Sequence, residues 1–134
     1  MTLPNHRRRV RVAATLLLLF VAGGCAAQTD AGEIAPEEVV ARIEAGTAPL
    51  LLDVRTPAEF ADGHVPGAVN IPHDELAERL NEIEGHQNDE VVVYCERGGR
   101  AARARTVLAD AGFREIRHLA GDMSAWREAG RPTK

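Results

Sequence analysis

From Ile34 onward the apolar positions fall into short blocks of two kinds. Leu50-Leu51-Leu52-Asp53-Val54 and Val91-Val92-Val93-Tyr94 are almost continuous apolar runs, the pattern of strands buried on both faces of a parallel sheet. Weaker strand signals lie at Ala68 to Asn70 and at Ile116 to Leu119. Between these blocks the apolar spacing is helical. Val39, Val40 and Ile43 follow Pro36 and the acidic pair Glu37-Glu38, and Gly46 closes the segment, so a first helix is predicted there. Further helices are predicted over Pro57 to Ala61, over Asp74 to Ile83 with Leu76, Leu80 and Ile83 on one side, from Arg100 to Ala111 before Gly112, and from Met123 to Ala129 before Gly130 and Pro132. Strands alternating with helices predict an α/β domain over residues 34–134, three layers deep, with a central parallel sheet of about five strands. A domain of this size buries about two-thirds of its unfolded surface, enough for one core without disulfides or metal.

The first 25 residues have a different pattern. His6-Arg7-Arg8-Arg9-Val10-Arg11 precedes an apolar run from Val12 to Val21, which ends at Ala22-Gly23-Gly24-Cys25. That is the layout of a signal peptide, assigned to residues 1–24. A membrane-spanning helix needs about 18 to 20 apolar residues, whereas this run reaches 13 even when counted through Gly24. Cys25 directly after small residues resembles the lipobox of bacterial lipoproteins, although Ala22 stands where Leu is usual. The resemblance implies that Cys25 is lipidated and becomes the first residue of the mature chain; the alternative is ordinary secretion with a free Cys25. Residues 26–33 are small and polar and read as a flexible tether. The expected location is the cell envelope, in the outer membrane facing the periplasm where two membranes exist and otherwise on the outer leaflet of the cell membrane.

Charge narrows the partners. Removal of four arginines with the signal peptide leaves 12 basic against 20 acidic residues, a net charge of −8. Nucleic-acid binding is disfavoured, and membrane attachment would rest on the acyl chains alone. The chain has two cysteines. In an exported protein a disulfide is the ordinary expectation, but a lipidated Cys25 would leave Cys95 without a partner.

The stretch Val91-Val92-Val93-Tyr94-Cys95-Glu96-Arg97-Gly98-Gly99-Arg100-Ala101 gives Cys95 a chemical reading. A buried strand ends at the cysteine, and a glycine-containing loop then opens a helix. Ligands of open α/β sheets bind at such carboxyl ends. Gly98 and Gly99 are expected to let successive N–H groups turn inward, with the helix N-terminus aimed at the same point and Arg97 and Arg100 adding positive charge. Such a cradle favours the anionic, nucleophilic form of a thiol.

Four stretches in order resemble the rhodanese family, covering Ile34 to Pro132. They are Leu51-Leu52-Asp53-Val54-Arg55 with Glu59-Phe60, Gly63-His64-Val65-Pro66-Gly67-Ala68-Val69-Asn70-Ile71-Pro72, Cys95 to Ala101, and Leu119-Ala120-Gly121-Asp122-Met123-Ser124-Ala125-Trp126 with Gly130 and Pro132. The resemblance implies a thiosulfate sulfurtransferase with Cys95 as nucleophile. Its partners would be a small sulfur-containing anion as donor and a thiol or cyanide-like acceptor, with no metal or organic cofactor. It places Glu96, Arg97, Gly98, Gly99 and Arg100 in the substrate-binding loop. It also implies supporting roles for Asp53, for Arg55 paired with an acid such as Glu59, and for His64 in its turn. Two positions depart from the family: Arg97, where a small hydroxyl residue is usual, and Ala120, where Gly is usual.

Related phosphatases and arsenate reductases carry a loop one residue longer, whereas here four residues separate Cys95 from Arg100, and Tyr94 stands where those enzymes commonly have His. A membrane-tethered persulfide carrier or a rhodanese-like binding module is the other alternative. His73, His86 and His118 show no metal-ligand spacing. Trp126 reads as core, and Arg103 and Arg105 as a solvated helix face.

Overall fold

The computed structural model describes residues 32–134. The signal segment, Cys25 and the tether through residue 31 lie outside the described residues. Five strands, β1 (Glu33–Ile34), β2 (Leu50–Asp53), β3 (Val69–Asn70), β4 (Glu90–Tyr94) and β5 (Glu115–Leu119), form one sheet in the order β1-β5-β4-β2-β3. Every neighbouring pair is parallel. Helices α1 (Pro36–Glu44), α2 (Pro57–Ala61), α3 (Gly99–Asp110) and α4 (Asp122–Glu128) connect or follow the strands. None of the described helices is long and apolar enough to cross a membrane.

The continuous apolar runs are explained by burial on both sides of the sheet. Val91, Val93 and Cys95 face one core with Leu52, Ile71 and the α3 residues Ala101, Ala104 and Leu108. Val92 and Tyr94 face the other, with Leu51, Val39 of α1, and Met123 and Trp126 of α4. This alternation follows from the two-residue repeat of a strand. β4 is thus central, hydrogen-bonded to β2 on one side and β5 on the other.

Two expectations need correction. The chain enters the sheet before Ile34: Glu33 belongs to β1, and the Gly32 carbonyl accepts the His118 N–H at 2.8 Å. A two-residue edge strand has too little apolar pattern to be seen in sequence. The helix expected over Asp74 to Ile83 is a series of turns leading into short 3-10 segments at Leu80–Glu82 and Glu84–His86. Its bonds run mainly to the third preceding residue, as in Glu78 to Glu75, Glu82 to Arg79 and Ile83 to Leu80. Leu76 and Ile83 are buried all the same. Their spacing serves either winding, and a short connector that must bend around the sheet takes the tighter one.

Packing gives a stability test. Leu52→Ala, at a fully buried position on β2, should cost about 2–5 kcal/mol in urea unfolding. Val69→Ala, at the exposed end of the sheet, should cost less than about 1 kcal/mol. Equal losses would contradict this assignment of the core.

Candidate active site

β4 delivers Cys95 to the carboxyl edge of the sheet, where it is 1% exposed. The next turn is governed by Gly98, which has φ 98° and caps α3. That left-handed conformation disfavours any side chain, and a Cβ there would stand 3.2 Å from the Asp122 carboxylate. The result is one direct contact: the Gly98 N–H donates to Cys95 Sγ at 3.0 Å. Gly99 is different from expectation. It has no positive φ and open space where a Cβ would lie, so the turn depends on Gly98 alone.

The loop is anchored from below by α4. Cys95 N–H donates to Asp122 Oδ1 at 2.9 Å, while the carbonyls of Cys95 and Glu96 accept N–H groups of Met123 and Ser124 at 3.0 and 3.2 Å. The Glu96 side chain, expected among the substrate-binding groups, turns to Arg127 and lies 3.5 Å from Arg55. It therefore ties the loop to the body of the domain. Arg97 is exposed and is the loop cation with no ion pair among the described residues.

The structure corrects the expected partner of Arg55. Arg55 does not meet Glu59. Its Nε and Nη2 bond Asp53 at 3.0 and 2.6 Å, because positions i and i+2 at a strand end lie on the same side. Arg55 is buried and also donates to the Gly63 carbonyl at 2.8 Å. Its guanidinium lies 5.9 Å from the Tyr94 ring centroid. Burial pushes the Tyr94 phenol upward, and its oxygen accepts the Val65 N–H at 3.1 Å. Asn70 braces the same edge by donating to the carbonyls of Asp53 and Arg55.

Glu59 pairs with Arg100, whose two terminal nitrogens fork onto its carboxylate at 2.6 and 2.8 Å. The reason is local. Glu59 is the third residue of α2 and closes a capping box with Thr56, so its carboxylate is held facing the start of α3. The Arg100 bond and the Thr56 cap lower the Glu59 carboxyl to about 2. The guanidinium of Arg100 is raised chiefly by Glu59, with a smaller contribution from Cys95.

His64 Nδ1 meets the Phe60 carbonyl at 2.9 Å, and the ring stacks on Phe60 at 3.6 Å. Ala120 is not in the left-handed region, so alanine there is unstrained. Two residues, named in the sequence only as part of a motif and as a histidine without metal-ligand spacing, were not expected at the site. Asp122 and His118 meet behind the loop at 2.9 Å, and the hydrogen bond the imidazole donates to Asp122 is the main reason the imidazole is raised. The one available signal was an aspartate directly after Gly121 in a turn.

Comparison with known proteins agrees with this architecture. Residues 35–129 match the rhodanese-like domain family. Thiosulfate sulfurtransferase 16, chloroplastic, of Arabidopsis thaliana is 40% identical over 93 residues, 62% of this chain and 78% of its own length. A sulfurtransferase of Allochromatium vinosum is 35% identical over 75% of this chain and 92% of its own. The structure of the human single-domain sulfurtransferase TSTD1 superimposes with a TM-score of 0.64 at 30% identity, covering 74% of this chain and 97% of that one. With its five parallel strands and helices on both faces, the chain belongs to the rhodanese-like domain family. Its relatives include proteins named for sulfur transfer.

The two ion pairs should fail differently. Arg55→Ala leaves the buried Asp53 unpaired and should cost about 3–5 kcal/mol, measured by chemical unfolding. Glu59 has a lowered carboxyl, so its contribution is present above its ordinary 4.5 and is lost as pH falls toward about 2. Partial exposure of the pair keeps this modest. Glu59→Gln should therefore flatten the decline in stability across that acid window; an unchanged decline would remove the pair from the account.

Proposed function

We propose that this domain transfers sulfane sulfur through a persulfide on Cys95. The observation that carries the reading is the position of Cys95 at the end of β4, with its sulfur on the Gly98 N–H at the head of α3. A thiolate there attacks the outer sulfur of thiosulfate. The new bond joins Sγ to that sulfur, the bond to the sulfonate group breaks, and sulfite leaves with the electron pair. A thiol or cyanide-like nucleophile then takes the outer sulfur and returns Cys95 to the thiolate, so two easier displacements replace one. Thiosulfate is the donor suggested by the name of the plant relative.

The loop suits an anionic donor. Gly98 supplies an N–H, the α3 N-terminus supplies partial positive charge, and Arg97 is free to meet an incoming anion. Arg100 reaches the site with its fork already on Glu59, which makes it a fixed rather than a searching cation. With four residues between Cys95 and Arg100, the cradle is sized for a sulfane sulfur. We place the domain outside the cytoplasm, held to the envelope by a lipid on Cys25.

Incubation with thiosulfate should add the mass of one sulfur to the Cys95 peptide and release sulfite, and cyanide should then yield thiocyanate. Cys95→Ser should abolish both steps. Cys95-dependent release of phosphate from aryl phosphates, with no persulfide, would replace this reading with a phosphatase.

The loop arginines should separate kinetically. Arg97→Ala should raise KM for thiosulfate with little change in kcat, and the effect should shrink with salt, since an exposed charge is screened over about 8 Å at physiological ionic strength. Arg100→Ala should lower kcat and raise KM together, because it releases Glu59 beside the cradle. Unchanged kinetics in Arg97→Ala would make that residue a solvated surface group. In cells, Cys25→Ala should shift the protein from the membrane pellet to a soluble or unprocessed form, and a wild-type protein found in the cytosol would overturn the anchor.

A further inference from the structure

The turn from β5 into α4 holds an unusual backbone. Among the described residues Asp122 is the one non-glycine at positive φ, 55°. It follows Gly121 at φ 75°, where a Cβ would meet the Ala125 Cβ at 2.4 Å. A glycine would satisfy the backbone at position 122 with less strain than an aspartate, so the carboxylate needs another reason. Asp122 is 3% exposed and both its oxygens are engaged. Oδ1 accepts the Cys95 N–H and Oδ2 meets His118 Nε2, each at 2.9 Å. A Cβ on Gly98 would touch both partners, at 3.2 Å from Oδ2 and 3.6 Å from His118 Cε1. The pair therefore packs directly beneath the glycine that donates to Cys95 Sγ. A bare carboxylate in that place would repel the anion the loop is built to receive.

The geometry points to Asp122 and His118 as a positioning pair for the Cys95 loop: the carboxylate holds the Cys95 amide, and the imidazole orients the carboxylate and offsets its charge beneath the anion-binding loop. Neither touches the reacting sulfur; both act through Cys95 and Gly98. The charged groups facing His118 are Asp122 from α4 at 2.9 Å and Glu33 from β1 at 3.4 Å, while Arg105 of α3 lies beside Gly32, whose carbonyl accepts the His118 N–H. Hydrogen bonding to Asp122 foremost raises the imidazole above its ordinary value. The sign follows: His118 keeps its proton below that raised value and loses it as pH climbs through it. The charge of Asp122 is then uncovered, and the loop becomes less receptive to anions. Only the identity of the anion rests on the sulfur-transfer reading.

The test needs no sulfur chemistry. Cys95 of the full chain is alkylated with iodoacetate and with iodoacetamide, and both products are read on the Cys95 peptide by mass spectrometry. The ratio of anionic to neutral reagent cancels ionisation of the thiol. In the wild type the ratio should fall several-fold as pH rises through the His118 titration, located by NMR of the imidazole. His118→Gln should lose that step, and Asp122→Asn, which removes the group that raises the imidazole, should move it to lower pH. The Cys95 amide should exchange hydrogen several-fold faster in Asp122→Gly, whose backbone is relaxed, and should regain protection in Asp122→Asn, which keeps an acceptor oxygen. A pH-independent wild-type ratio, a step that survives in His118→Gln, or wild-type exchange at Cys95 in Asp122→Gly would overturn the inference. Thiosulfate labelling of the same wild-type protein distinguishes the two failures: no persulfide sinks the sulfur-transfer reading, while the alkylation ratio still decides this one.

Discussion

A guanidinium and a carboxylate buried together at the end of β2 set the terms for the active edge of this domain. Arg55 and Asp53 are both essentially inaccessible to water, and a buried charge is tolerated only where every donor and acceptor finds a partner. Arg55 meets that condition by reaching Asp53, the Gly63 carbonyl before β3, and Glu96 in the loop after β4. Three separate stretches of chain must therefore be in place before the pair is satisfied. Glu96 carries the constraint onward to Arg127 of α4.

Cys95 sits between this network and a second clamp, the Glu59–Arg100 pair that joins α2 to the start of α3. The loop backbone is fixed on its inner side by Asp122, Met123 and Ser124. What remains toward solvent is Arg97 and the open face of Gly99. For the proposed anionic donor this is a preorganised site, since donors already aimed at a point need little rearrangement. It also explains how a chain with net acidic composition can present a locally receptive loop. The nearby carboxylates of Glu59, Glu96 and Asp122 are each held by a cationic or hydrogen-bonding partner.

Legibility in the sequence tracked how local each signal was. The runs at Leu50 to Val54 and Val91 to Tyr94 declared buried parallel strands because all their residues except Asp53 are apolar or aromatic. Cys95, Gly98 and Arg100 declared a cradle because strand end, turn and helix start are contiguous. The segment from Asp74 to Ile83 was misread because a burial pattern of Leu76, Leu80 and Ile83 does not specify how tightly the backbone winds. The Glu59–Arg100 pair was not readable, since Arg100 lies 41 residues away.

The sequence by itself determined the alternation of strands β2 to β5 with helices α1 to α4, the two-sided core, and the thiol at a carboxyl edge, because those follow from periodicity and from residues adjacent in the chain. Tertiary structure alone decided which charge answers which. Arg55 took Asp53, Arg100 took Glu59, and Asp122 reached back 27 residues to the Cys95 amide. The physical reason is that an apolar side chain accepts any apolar neighbour, so its pattern suffices to place it. A buried charge or N–H requires one partner at one distance and angle, and only the assembled fold supplies that geometry.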